Sequence, residues 1–275
     1  MQHFFIIGAG RSGTTSLCSY LEQHPEILIS NPKETGFFSE YYHRGWKWYQ
    51  SCFSSQEGIK VCGEGTVNYA KKSLFPDVIA RISKDVADAQ LIYIVRDPIK
   101  RIESDWRYTN IRGYETLSFS DAIKKNWSKY IEPSNYLVQI DAYRKYFSDE
   151  KILILFFEDL KEDPNHVLQK CFHFLNVDDG FLVKDLSIKN KGNKGFQHNK
   201  FTVFLMNFPV FQKIKNIFPR KIWELFKPFF GRNVVADKVV WSNGLYQEIK
   251  SYLSKDSKIF LTRYGKKENF WTFKN

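Results

Sequence analysis

Four cysteines are all this 275-residue sequence contains: Cys18, Cys52, Cys62 and Cys171, with no CxxC pair among them. So few thiols at such spacings exclude a disulfide-built scaffold and a structural zinc site. They read as reduced thiols of a cytoplasmic type of protein, with a single disulfide as the alternative. The six histidines are scattered as well, so no metal centre is expected. No apolar run approaches the roughly 20 residues of a membrane span, which excludes a transmembrane helix. Met1-Gln2-His3 leads straight into Phe4-Phe5-Ile6-Ile7, so no secretory leader is expected either. Internal repeats and low-complexity tracts are missing, which excludes a solenoid or a long linker. Acidic residues are the scarcer charge: 30 against 41 basic ones, a net +11. That excess favours anionic partners.

Hydrophobic residues make up 43 % of the chain and aromatics 17 %, enough for a large core. Short apolar runs at 4–8, 27–30, 60–63, 91–95 and 152–157 read as strands, rich in β-branched and aromatic residues. Helical patterns follow at 14–24, 75–84, 98–110, 120–127, 137–147, 164–175 and 245–253. Pro98 and Pro164 suit first helical turns, with Asp97 and Asp163 placed to cap them. Strands alternating with helices predict an α/β fold with a doubly wound, mainly parallel sheet. No linker divides the chain, so residues 1–275 are expected to form one domain. Residues 181–195 read as a loop. Residues 196–232 read as an aromatic and basic helical elaboration, in which Ile222, Leu225, Phe226 and Phe229 recur at helical spacing. That spacing suits a packed helix, or one lying on an acceptor or a membrane surface.

The strongest local signal is Gly8-Ala9-Gly10-Arg11-Ser12-Gly13-Thr14-Thr15-Ser16, between the first strand and the first helix. Such a loop aims backbone N–H groups and a helix N-terminus at an anion, and Ser12, Thr14 and Thr15 add hydroxyls. Gly8 and Gly13 match the glycines of a phosphate loop, but Thr14 stands where nucleoside triphosphatases carry lysine. Arg11 supplies a cation from within the loop instead. A dinucleotide loop fits worse, because no acidic residue ends a second strand at the required distance. A second anion site is marked by Arg96-Asp97-Pro98-Ile99-Lys100-Arg101-Ile102-Glu103-Ser104. Arg96 ends a strand on the side where open α/β sheets bind ligands, and Ser104 lies two turns into the next helix. The alternative for Arg96 and Arg101 is ion pairing with Asp97 or Glu103 on a solvated face.

Together the two strings resemble the sulfotransferases that use 3′-phosphoadenosine 5′-phosphosulfate (PAPS). The resemblance extends to Asn31–Phe38 and Trp46–Tyr49, to Gly63–Tyr69 and Phe157–Leu160, and to Glu268–Trp271, so it spans nearly the whole chain. It is closer to the glycan-modifying and bacterial branch than to the enzymes of small phenols. It implies that Arg11, Ser12, Gly13, Thr14 and Thr15 bind the 5′-phosphosulfate, and that Arg96 and Ser104 hold the 3′-phosphate. PAPS would be the donor, PAP the product, and a glycan or glycolipid the acceptor, with no metal and no nucleic acid involved. Glu34 matches the family's general base, and Arg11 would neutralise the leaving group. Burial against Phe37 and Phe38 is expected to raise the pKa of Glu34, while Lys33 is placed to lower it or to contact the sulfate. Relatives acting on heparan sulfate carry lysine at the positions of Arg11 and Gly65, and a different loop at 190–195, where this chain has Lys191 and Lys194. Tyr41, Tyr42, Trp46, Trp48 and Tyr49 fit either a sugar-stacking wall or packed core. The competing readings are a P-loop kinase, a non-catalytic PAPS binder and a nucleic-acid-binding protein.

Overall fold

A computed structural model describes residues 2–54, 56–188, 194–198, 231–271 and 273. All five expected strands are present: β1 (Gln2–Gly8), β2 (Ile27–Ile29), β3 (Val61–Glu64), β4 (Gln90–Val95) and β5 (Ile152–Phe156). They pair in the order β2-β3-β1-β4-β5, and every pairing is parallel. Both faces of such a sheet are buried, and side chains alternate between them. Phe5 and Ile7 of β1, with Leu91, Tyr93 and Val95 of β4, enter one core; Phe4, Ile6, Ile92 and Ile94 enter the other. Helices α3 (Val78–Asp85), α4 (Pro98–Ile111), α7 (Tyr136–Tyr143) and α10 (Asn243–Arg263) cover the first face, and α1 (Thr14–Leu21) and α9 (Pro164–Leu175) the second.

From β1 the chain passes to β2 and then β3 on one side, and crosses from β3 to β4 on the other. The carboxyl end of β1 is therefore the topological switch point, where ligands bind in open α/β sheets. The two caps read from the sequence are in place. Asp97 accepts from the Lys100 N–H at 3.0 Å and Asp163 from the His166 N–H at 3.0 Å, each with proline opening the helix.

Several elements differ from the sequence expectation. The pattern at 120–127 divides into α5 (Phe119–Lys125) and α6 (Trp127–Tyr130), because Asn126 leaves helical geometry between them. Short helices α2 (Gly45–Gln50) and α8 (Phe157–Glu162) were not expected; six residues are too few for a periodic signal. The last helix runs far beyond 245–253. The expected loop 181–195 ends in β6 (Lys194–His198), which pairs antiparallel with β7 (Gly231–Val235). The two ends of the aromatic and basic stretch 196–232 are thus paired strand rather than helix. Lys191, Ile222, Leu225, Phe226 and Phe229 lie outside the described residues. All four cysteines are buried free thiols. Among the described residues there is no helix long and apolar enough to cross a membrane, and no cluster of potential metal ligands.

Candidate active site

The glycine loop turns from β1 into α1 at the switch point. Gly13 has φ 90°, and a Cβ there would stand 2.8 Å from the Phe157 ring, so both its conformation and its crowding require glycine. Arg11 also takes a positive φ of 71°. Its guanidinium runs along α4: Nε donates to Ser104 Oγ at 3.3 Å, and Cζ stands 4.3 Å from the centre of the Tyr108 ring. Burial pushes the Arg11 pKa down, opposed mainly by Asp105. Ser12 is fully buried, and its hydroxyl has no hydrogen-bond partner. An orphan hydroxyl in a loop of this shape is what an anion would satisfy. Thr14 is buried and Thr15 half-buried in the first turn of α1.

Arg96 leaves β4 beside the same loop. Its Nη1 donates to the Arg11 carbonyl at 3.3 Å, and its guanidinium lies 4.9 Å from the Phe157 ring centre. Burial lowers its pKa, and Glu158 is the largest opposing charge. The fold thus brings Arg11, Ser12, Gly13, Arg96 and Ser104 together from three separate segments. Arg101 does something else. It is fully buried, donating to Ser134 Oγ at 2.5 Å, to Asp105 Oδ2 at 3.2 Å and to the carbonyls of Tyr130 and Gly10. Neither Asp97 nor Glu103 is its partner, and it is not on a solvated face. Glu103 instead takes Arg107 at 3.3 Å and the Trp241 indole N–H at 2.9 Å.

Glu34 departs from expectation in its surroundings. Its side chain is 43 % exposed, and Oε1 pairs with the Lys33 ammonium at 2.5 Å. Phe37 and Phe38 do not bury it. The N–H groups of Thr35 and Gly36 are tied to Glu64 and Thr66, and the chain turns at Gly36 with φ 64°. That turn sends both phenylalanines into the core and leaves Glu34 outside. Lys33 also donates to the Gly65 carbonyl at 3.3 Å. A Cβ on Gly65 would stand 2.6 Å from Cys18 Sγ, so it is the packing against that thiol that calls for glycine here; the Lys33 ammonium, at 3.6 Å, would be in ordinary contact. Of the aromatic run, Tyr49 is core, whereas Trp46, Trp48 and Tyr42 pack on it part-buried. Arg44 stacks over Tyr41 and Trp48 at 4.6 and 4.7 Å, forming an exposed aromatic shelf.

Sequence reasoning missed four residues here. Asp105 sits one turn past Arg101 and faces Arg11. Tyr108 carries the Arg11 guanidinium. Lys71 is half-buried and has no ion pair among the described residues; burial lowers its pKa, against Asp105. Glu64 is fully buried and accepts from Thr35 N–H at 3.0 Å, Thr66 Oγ1 at 2.5 Å and Tyr69 OH at 2.7 Å. Helical spacing from Ser104 marks Tyr108; nothing local marks the others.

Burial lifts the Glu64 pKa above its ordinary 4.5, against the lowering by its three hydrogen bonds. Between the ordinary and the raised value the folded chain binds more protons than the unfolded one. This group's contribution to stability therefore falls as pH rises through that interval. In Glu64→Gln the fall should disappear. Its amide also meets three donors, which should cost about 1–3 kcal/mol at acidic pH. Thermal melts across pH 4–7 measure both; identical pH profiles for the two proteins would refute the assignment.

A family model described as a sulfotransferase domain matches residues 1–236. The chain belongs to the sulfotransferase family. This sulfotransferase chain is 35 % identical over 112 residues to the membrane-associated sulfotransferase kil1 of Dictyostelium discoideum, covering 40 % of the chain and 23 % of that protein. It is 29 % identical over 200 residues to heparan sulfate glucosamine 3-O-sulfotransferase 3B1 of Mus musculus, covering 70 % of the chain and 50 % of the relative. It thus spans half or less of the length of these curated relatives. A solved sulfotransferase from Alicyclobacillus acidocaldarius shares the fold at a TM-score of 0.71 and 22 % identity, over 99 % of both chains.

Proposed function

We propose that this sulfotransferase moves a sulfuryl group from PAPS to a hydroxyl or amine of a carbohydrate or glycolipid acceptor. The observation that carries the reading is the Arg11–Ser104 bond of 3.3 Å. It unites the loop cation with the helix serine, so a site for one anion adjoins a site for another. The orphan Ser12 hydroxyl and the crowded Gly13 fit a phosphosulfate in the loop.

In this scheme Ser12, Gly13, Thr14, Thr15 and the N-terminus of α1 hold the 5′-phosphosulfate, and Arg96 and Ser104 the 3′-phosphate. The acceptor oxygen attacks sulfur in line. A new O–S bond forms, the bond from sulfur to the bridging phosphate oxygen breaks, and both electrons of that bond leave with PAP. Arg11 stabilises the charge growing on the leaving group. Glu34 takes the acceptor proton; as an exposed carboxylate it is accessible to an incoming substrate. No step calls on a metal ion. The glycan part of the reading is supported by the names of the heparan sulfate relatives and by the aromatic shelf of Tyr41 and Trp48. Four free, buried cysteines support a reducing, cytoplasmic setting.

PAP should bind far more tightly than ADP, because only PAP presents a 3′-phosphate to Arg96 and Ser104. Each charge-assisted hydrogen bond is worth about 1.5–3 kcal/mol, so at least a tenfold difference is expected by calorimetry. Equal affinities would remove both residues from the donor site.

A further inference from the structure

Two guanidinium groups rest on the ring of Tyr108. Arg11 stands 4.3 Å from its centre and Arg112 4.4 Å. Arg112 follows the last turn of α4 and is exposed. Among the described residues it has no carboxylate partner. The acids on neighbouring turns are engaged elsewhere: Asp105 with Arg101 at 3.2 Å, and Glu115 with Tyr130 OH at 3.0 Å and Lys129 at 3.7 Å. Arg96 and Arg112 both act on Arg11 as like charges. These like charges repel one another; Asp105 opposes that at Arg11, and bound anions offset it further.

The donor supplies anions for only part of this row. Along α4, Ser104, Tyr108 and Arg112 are spaced four residues apart, about 6 Å per step. Arg96 and Ser104 take the 3′-phosphate, and Arg11, between Ser104 and Tyr108, faces the transferring group. Arg112 lies one turn further on, at the exposed end of α4. We propose that Arg112, seated on Tyr108, binds an anionic oxygen group of the acceptor, a carboxylate or sulfate on an acidic sugar, and so selects charged acceptors. This rests on the sulfotransferase reading above. It adds a residue that sets acceptor charge.

The test uses the full chain saturated with PAP and measures binding of three heparin-derived hexasaccharides by calorimetry: native, desulfated, and carboxyl-reduced. Arg112→Gln should weaken the native probe about tenfold, the weight of one charge-assisted hydrogen bond, with PAP affinity unchanged. Arg112→Lys should restore part of the loss. The two modified probes show whether carboxylate or sulfate is read, by which of them keeps its sensitivity to Arg112. Tyr108→Leu should weaken binding too, and Arg112→Gln should add little on top of it. Lys170→Gln removes the same charge from α9, on the opposite face of the sheet, and should have no effect. An equal loss in Lys170→Gln, a loss of PAP affinity in Arg112→Gln, or no binding by the wild type would each overturn the proposal. Radiolabelled transfer from PAPS to the same sugars is scored separately. Failure there with the Arg112 effect intact rejects the catalytic reading and keeps the anion subsite.

Discussion

Glu34→Gln should lower kcat by about 10²–10⁴-fold, the usual weight of a general base, while leaving PAP affinity within a factor of about two. The substitution keeps the shape of the side chain and removes only its capacity to accept the acceptor's proton. The structure makes the test clean. Glu34 bonds through its side chain to Lys33 alone and is 43 % exposed, so the amide disturbs no buried network. Contrast Glu64, thirty residues on, where the same change meets three donors in the core. Single-turnover measurements at saturating donor and acceptor separate chemistry from binding. Near-normal kcat would return Glu34 to a surface role and turn attention to Asp105, the other carboxylate facing Arg11.

Arg11→Met should reduce kcat by about 10²–10³-fold, the cost of removing one preorganised donor from a developing anion. Donor affinity should fall less, since the loop N–H groups and Arg96 remain. Arg11→Lys should sit between the two. Lysine keeps the charge but loses both the fork that reaches Ser104 and the planar stack on Tyr108. The readout is the ratio of the kcat loss to the change in PAP dissociation constant. If Arg11→Met leaves kcat within threefold, the leaving-group role belongs to the backbone donors alone.

The loop and helix start proposed to hold the donor are legible in the amino-acid order, because their signals are local. Gly8 to Thr15 form a contiguous loop whose glycines and hydroxyls declare an anion cradle, and Asp97-Pro98 declares the start of the helix carrying Ser104. The alternation of apolar runs likewise determined the five strands and their parallel arrangement, since a sheet buried on both faces writes continuous hydrophobic segments into the chain. Tertiary structure decided everything that depends on which side of a turn a residue faces. Arg96 and Arg101 share one alternative in sequence, ion pairing on a solvated face, yet one opens onto the loop and the other is sealed among Ser134, Tyr130 and Asp105. Glu34 precedes two phenylalanines but escapes them, because Gly36 reverses the backbone between them. Lys71 and Arg112 belong to no motif, and Tyr108 is marked only by its helical spacing from Ser104. They became part of the site when α4 and the turn after β3 were packed around Arg11, and charge proximity across such a packing is written in space rather than in spacing.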